Sequence, residues 1–225
     1  MNKFLMRRSF LACWLLLAVS CVFAAAPARS QAVVDKWVAT VNGSELITRS
    51  DLLWQLVLQP NTPIEPPRTE DLNRALQLVI DQRLIAQEAE KLPSITPKDV
   101  ETEAELAELV KLFPSSTEFY ERVRRVGLSS ERLREIARER VAIKKFLDFR
   151  FRSFTVVTEQ EVADYYRDVY VPRLRARASG IVVPTLEQAR KEVQQTLTES
   201  KIASDTDAFL EDARARAEIV ILNAV

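Results

Sequence analysis

The stretch that most limits what this chain can fold into is Val33 to Asp51, VVDKWVATVNGSELITRSD. It reads as strand, tight turn, strand and helix start. Apolar and polar residues alternate, imperfectly, from Val34 to Val41, the period expected of a half-buried strand. Asn42-Gly43 suits a type I′ turn, which needs positive φ at both central residues. Glu45-Leu46-Ile47-Thr48 returns as the second strand, and Ser50 or Thr48 then caps a helix opening near Asp51. Two strands alone are marginal in water. The missing partner is found at the far end, in Glu218-Ile219-Val220-Ile221-Leu222. The chain is therefore expected to leave the hairpin, run through helices and return to it.

The intervening residues carry helical signals almost throughout. Ser50–Gln59 is short and apolar on most sides, and four prolines between Pro60 and Pro67 end it. Thr69 caps a helix over roughly Glu70 to Lys91, with Leu72, Ala75, Leu76, Val79, Ile80 and Leu84 on one face. Thr96-Pro97-Lys98-Asp99 signals a helix start running to about Leu112, with Val100, Ala104, Ala107 and Leu109 or Val110 inward. A short helix over Thr117–Val126 ends at Gly127, with Leu128 as the apolar contact after the cap. Ser129 caps a helix over Ser130–Arg150 whose Arg132, Arg134, Arg138, Arg140, Lys144 and Lys145 read as a basic, solvated outer face. Phe151–Val157 reads as an extended connector. Thr158 and Glu161 form a capping box for a helix stopping near Pro172. A last helix begins near Leu186, with Ser204-Asp205 as a place where it bends or divides.

The first residues read as an export signal. Lys3, Arg7 and Arg8 precede an apolar run from Phe10 to Phe23, and small residues follow. Cleavage after Ala32 or after Ala28 fits. Ala18-Val19-Ser20-Cys21 also has the form of a lipobox, which would place Cys21 at a lipidated N-terminus, and Arg7-Arg8 that of a twin-arginine signal. About 193 residues then remain, enough for one or two domains.

Composition excludes several chemistries. Cys13 and Cys21 both lie in the signal, and there is no histidine. Disulfides, thiolate nucleophiles and imidazole catalysis are thereby removed from the mature chain. Lys and Arg number 32 and Asp and Glu 32, so bulk attraction to nucleic acid has no basis. Three glycines, at 43, 127 and 180, provide no phosphate-cradling loop. No cofactor is expected. Glu159 and Glu161 sit in a cap, and Ser129 and Ser130 have no partner base, so the chain is not expected to be an enzyme.

Taken in order, these segments resemble the N-terminal domain of SurA-like periplasmic chaperones. VVDKWVATVNGSELITRSDL resembles the opening strand and turn of that family, with Ser44-Glu45 in place of a bare Glu. ALQLVIDQRLIAQEAEKL, ITPKDVETEAELAEL, VGLSSERLREIARERVAIKKFLDFRF and VTEQEVADYY resemble the helices that follow. The resemblance implies a mainly α fold: a multi-helix body with a small sheet formed by the N-terminal hairpin and the C-terminal strand. Its divisions are 1–32 signal peptide, 33–170 chaperone domain, 171–185 a linker replacing the family's parvulin isomerase insert, and 186–222 a helix and strand packing back.

The implied function is a non-enzymatic periplasmic holdase for unfolded exported or outer-membrane polypeptides. The alternatives are a docking subunit for one envelope partner, or an isomerase relative without activity. An apolar groove would hold the client, and Trp54, Phe113, Phe119, Tyr120, Tyr165 and Tyr166 are its candidate residues; the competing assignment for each is the core. Partners are extended polypeptides and no nucleic acid, with a membrane only if Cys21 is lipidated and a homodimer left open.

Overall fold

The computed structural model describes residues 35–177 and 182–225. The signal, both cysteines and part of the 171–185 segment lie outside the described residues.

The hairpin forms as its turn chemistry dictates. Strands β1 (Trp37–Val41) and β2 (Glu45–Thr48) flank Asn42 and Gly43, with φ of 52° and 67°. Strand β3 (Ile219–Ile221) lies antiparallel on the other side of β1, giving the order β2-β1-β3. Asn42 ties the ends together: its N–H donates to the Glu218 carbonyl, and its side-chain oxygen accepts from the Glu218 N–H. One extra residue at Val38 interrupts the β1–β2 register. Its carbonyl turns to β3 and accepts from the N–H groups of Leu222 and Asn223.

Between these strands the chain is helical. Helix α1 (Arg49–Val57) is capped by Thr48, with Asp51 accepting in return from the Thr48 N–H. Helix α2 (Thr69–Glu90) buries the predicted face, and α5 (Ser130–Arg150) starts at Ser129 as expected. Between them come α3 (Asp99–Lys111) and α4 (Ser116–Arg125), the latter capped by Ser115. After α4, Gly127 takes φ 66°, and the buried Leu128 returns its N–H to the Val123 carbonyl. Arg122 on α4 donates to the carbonyls of Gln59 and Thr62, which pins the proline-rich loop.

Four local expectations need correction. Helix α3 starts at Asp99 rather than behind Thr96: the Thr96 hydroxyl donates to the Pro93 carbonyl in the preceding turn, and the Glu101 carboxylate accepts from the Lys98 N–H. The buried side of α3 is Thr102, Glu105 and Leu109, not Val100, Ala104 and Ala107, and Val100 is 72% exposed. Phe151–Val157 is not extended: Phe151 is buried and a single helical turn covers Arg152–Phe154. Nor does the next helix stop near Pro172. Helix α6 (Glu159–Tyr165) continues through a wider-pitched stretch, Tyr166–Tyr170, into α7 (Val171–Arg177). A wider pitch relieves the clash between a proline ring and the preceding turn.

Helix α8 (Leu186–Arg216) is continuous through Ser204-Asp205. At about 1.5 Å per residue it is roughly 46 Å long, and it serves three hydrophobic clusters. Near its start Ala189 and Val193 pack with Val162 and the tyrosines of the α6 region. Farther on, Phe209 and Leu210 pack against Ile85, Ala89, Ile95 and Phe146, and Ala213 reaches the main core beneath the sheet.

Candidate functional site

A groove opens on the α2–α5 seam where the facing side chains become small. Toward the sheet, the seam between these helices is filled by Val79, Ile80, Leu133 and Ile136. One to two turns farther along, alanines face one another: Ala86 and Ala89 on α2, Ala142 on α5. Three methyl groups cannot fill the space that leucines close elsewhere, so a cleft of about 310 Å³ remains. Ile95 and Pro97 from the turn after α2 form its end wall. Glu90, Arg138 and Glu139 stand around the opening. An apolar floor with charges restricted to its margin suits an aliphatic or aromatic side chain whose backbone stays near water.

The end of the cleft nearest the sheet is a partly buried ion network. Arg83, with a side chain 15% exposed, lies 3.1 Å from Glu139, 3.8 Å from Glu45 and 3.9 Å from Asp51. Arg132 lies 3.0 Å from Glu135 and 3.5 Å from both Asp51 and Glu139, and its guanidinium stands 5.5 Å from the centre of the Trp54 ring. Burial disfavours the Arg132 charge, but the Glu135 hydrogen bond and the fields of Glu139 and Asp51 outweigh it, so its pKa rises. Two cations face four carboxylates, and the Nε of Arg83 is buried without a hydrogen-bond partner.

The six aromatic residues chosen from the sequence fall in two places. Phe113 and Phe119 are buried in the main core, their ring centres 5.1 Å apart. Tyr120 stacks edge-on against Phe119 and is 44% exposed. Trp54 is half-buried near them, donating from Nε1 to the Val126 carbonyl at the end of α4. Tyr165 and Tyr166 instead pack between α6 and α8, and the Tyr166 hydroxyl donates to the Pro184 carbonyl. Of the six, Trp54 alone contributes to the α2–α5 seam, at its ion-network end. The alanines of the groove escaped the sequence reading because it looked for large rings. The signal was present in LIAQEA, where two small residues three apart interrupt a leucine-rich face.

Among the described residues no helix is long and apolar enough to cross a membrane, and no group of three or more acidic, histidine or cysteine side chains is placed to hold a metal ion. No protein-family model matches the chain. It is 28% identical over 207 residues to Chaperone SurA of Alkalilimnicola ehrlichii, a match covering 85% of this chain and 47% of that protein. The chain thus spans about half the length of the curated relative it matches, and it is SurA-like.

Proposed function

We propose that this SurA-like chain is a passive periplasmic holdase, which covers apolar side chains of unfolded exported polypeptides in the α2–α5 groove. The similarity to Chaperone SurA across 85% of the chain carries the reading. The groove supports it chemically. Its floor of Ala86, Ala89, Ala142 and Ile95 offers apolar surface without shape demands, so many side chains are accepted and none is held tightly. At roughly 25 cal/mol per Å² of buried apolar area, one side chain in such a cleft gains only about 2 kcal/mol. Affinity of that size permits release without a nucleotide-driven step. Trp54, at the polar end of the seam, remains a candidate contact.

In this reading the chain holds without catalysing isomerisation. Fifteen residues, 171–185, separate the π-pitched stretch from α8. That is far short of an ordinary domain of about a hundred residues.

Filling the groove tests the reading. Ala142→Trp fills the cleft from its floor and is expected to abolish suppression of aggregation of a urea-unfolded outer-membrane protein. The thermal midpoint should move by only a few degrees. A folded Ala142→Trp protein that suppresses aggregation as well as the parent would remove the groove from the function. A parent chain with no effect on several unrelated unfolded clients would remove the holdase reading itself.

A further inference from the structure

The two edges of the small sheet are not alike. On β2, the strand runs directly into α1, and the Thr48 N–H is taken by the Asp51 carboxylate. On β3, the inward bonds are fixed by two contacts: Asn42 N–H to the Glu218 carbonyl and Leu222 N–H to the Val38 carbonyl, each 2.8 Å. With Thr40 opposite Val220, antiparallel alternation assigns residues 218, 220 and 222 to β1. The N–H and C=O groups of Ile219 and Ile221 therefore point away from the sheet, and among the described residues β3 is its last strand.

Natural sheets blunt such edges with lysine, proline, bulges or a covering helix. Residues 219–222 are Ile-Val-Ile-Leu and carry none of the side-chain devices. Val220, Ile221 and Leu222 are 41%, 55% and 42% exposed. Val220 continues a cross-strand row with Thr40 and the part-exposed Leu46 on the sheet face away from the core. Trp37, 58% exposed, lies on the same central strand.

We propose that the outer edge of β3 is a second polypeptide-binding site, which takes an extended, uncharged backbone as a fourth strand. Ile219 and Ile221 supply two donors and two acceptors. Recognition through main-chain groups is indifferent to side-chain identity, apart from a preference for apolar residues beside Val220. The occupant is an extended segment and not a second copy of this chain. A three-residue edge is about 10 Å long, and strand pairing over that length covers far less than the roughly 1,200 Å² a stable dimer buries. The proposal rests on the polypeptide-holding reading above but names a different surface, so the two fail separately.

The test uses the hexapeptide acetyl-Thr-Val-Thr-Val-Thr-Val-amide, with amide exchange followed by NMR. Exchange at Ile219 and Ile221 is expected to slow at least tenfold at saturating peptide, while Val220, already bonded to β1, changes little. The same peptide N-methylated at its four central residues should give no protection. Ile221→Pro removes one outward N–H at a position where the inward ladder does not need it, and should weaken binding about fivefold. Ala142→Trp should leave this binding unchanged. Equal binding of the methylated peptide, or protection confined to α2 and α5, would overturn the proposal. So would a dimer in sedimentation that dissociates on Ile221→Pro, because a second copy would then own the edge.

Discussion

Helix α5 is held on two sides by different physics. Against α2 it offers Leu133, Ile136, Ile143, Phe146 and Leu147, and apart from Glu139, which pairs with Arg83, the contact is apolar packing. Against α3 it offers cations. Arg140 lies 3.0 Å from Glu105, Lys144 contacts the same carboxylate, Lys145 lies 2.9 Å from Glu101, and Arg134 lies 2.8 Å from Glu103. Glu105 itself is only 6% exposed. The first contact depends on volume and tolerates salt and acid; the second depends on charge and tolerates neither. The groove lies in the apolar seam, where a few small residues suffice to open it, whereas removing bulk from the ionic seam would leave charges without partners.

The largest effect is expected from attacking the apolar side. Leu133→Ala, at a position 2% exposed, should cost about 3 kcal/mol in urea unfolding, the range for a buried leucine lost with partial collapse. A loss under about 1 kcal/mol would show that α5 is not anchored through this face.

The ionic side should respond next. Glu105→Gln is expected to cost about 1 kcal/mol at neutral pH, less than a fully buried pair because Arg140 and Lys144 reach solvent. Most of that cost should vanish in 1 M salt, whereas the Leu133→Ala cost should not. An equal salt response from the two variants would erase the distinction between the seams.

Acid sharpens the contrast further. Burial opposes ionisation of Glu105, but the hydrogen bonds from Lys144 and Arg140 prevail and hold its pKa below the ordinary carboxylate value. Glu101 is lowered by the Lys98 backbone N–H and Lys145, and Glu161 to about 2 by Lys201 and the Thr158 N–H. A carboxyl depressed on folding stabilises fully above its unfolded pKa and loses that contribution as pH falls through its folded one. Stability should therefore decline below about pH 4.5, and Glu105→Gln should flatten the decline. An unchanged slope in that variant would assign the acid response to the other carboxylates.

The smallest effect belongs to the tyrosine-packed contact between α6 and α8. Tyr166→Phe deletes the hydroxyl that reaches Pro184. It should speed amide exchange along α6 and α8 near that contact, with a global loss of about 1 kcal/mol or less. Uniformly faster exchange throughout the chain would mean that this contact and the main body unfold as one.

Much of the fold was legible because its signals are local. Asn42-Gly43 sets the turn, Thr158-Glu161 and Ser129 set helix starts, and Gly127 with Leu128 sets a stop. The aromatic residues offered as a groove were less legible, since a ring at helical spacing reads the same whether it fills a core, as Phe119 does, or faces water in part, as Tyr120 does. The face of α3 was misread for a related reason. Hydrophobicity favoured Val100 and Ala104 inward, but the neighbouring surface of α5 is cationic and attracts Glu105.

By itself the sequence determined the hairpin turn and most helix caps, and that the first and last strands share one sheet, because turn geometry, caps and strand alternation act over a few residues. Only the tertiary structure decided which face of α3 is covered, that α8 runs unbroken past three clusters, that opposed alanines leave a groove, and that among the described residues β3 keeps an open edge. Each of these depends on what lies across the gap, and no stretch of chain carries that information about its neighbour.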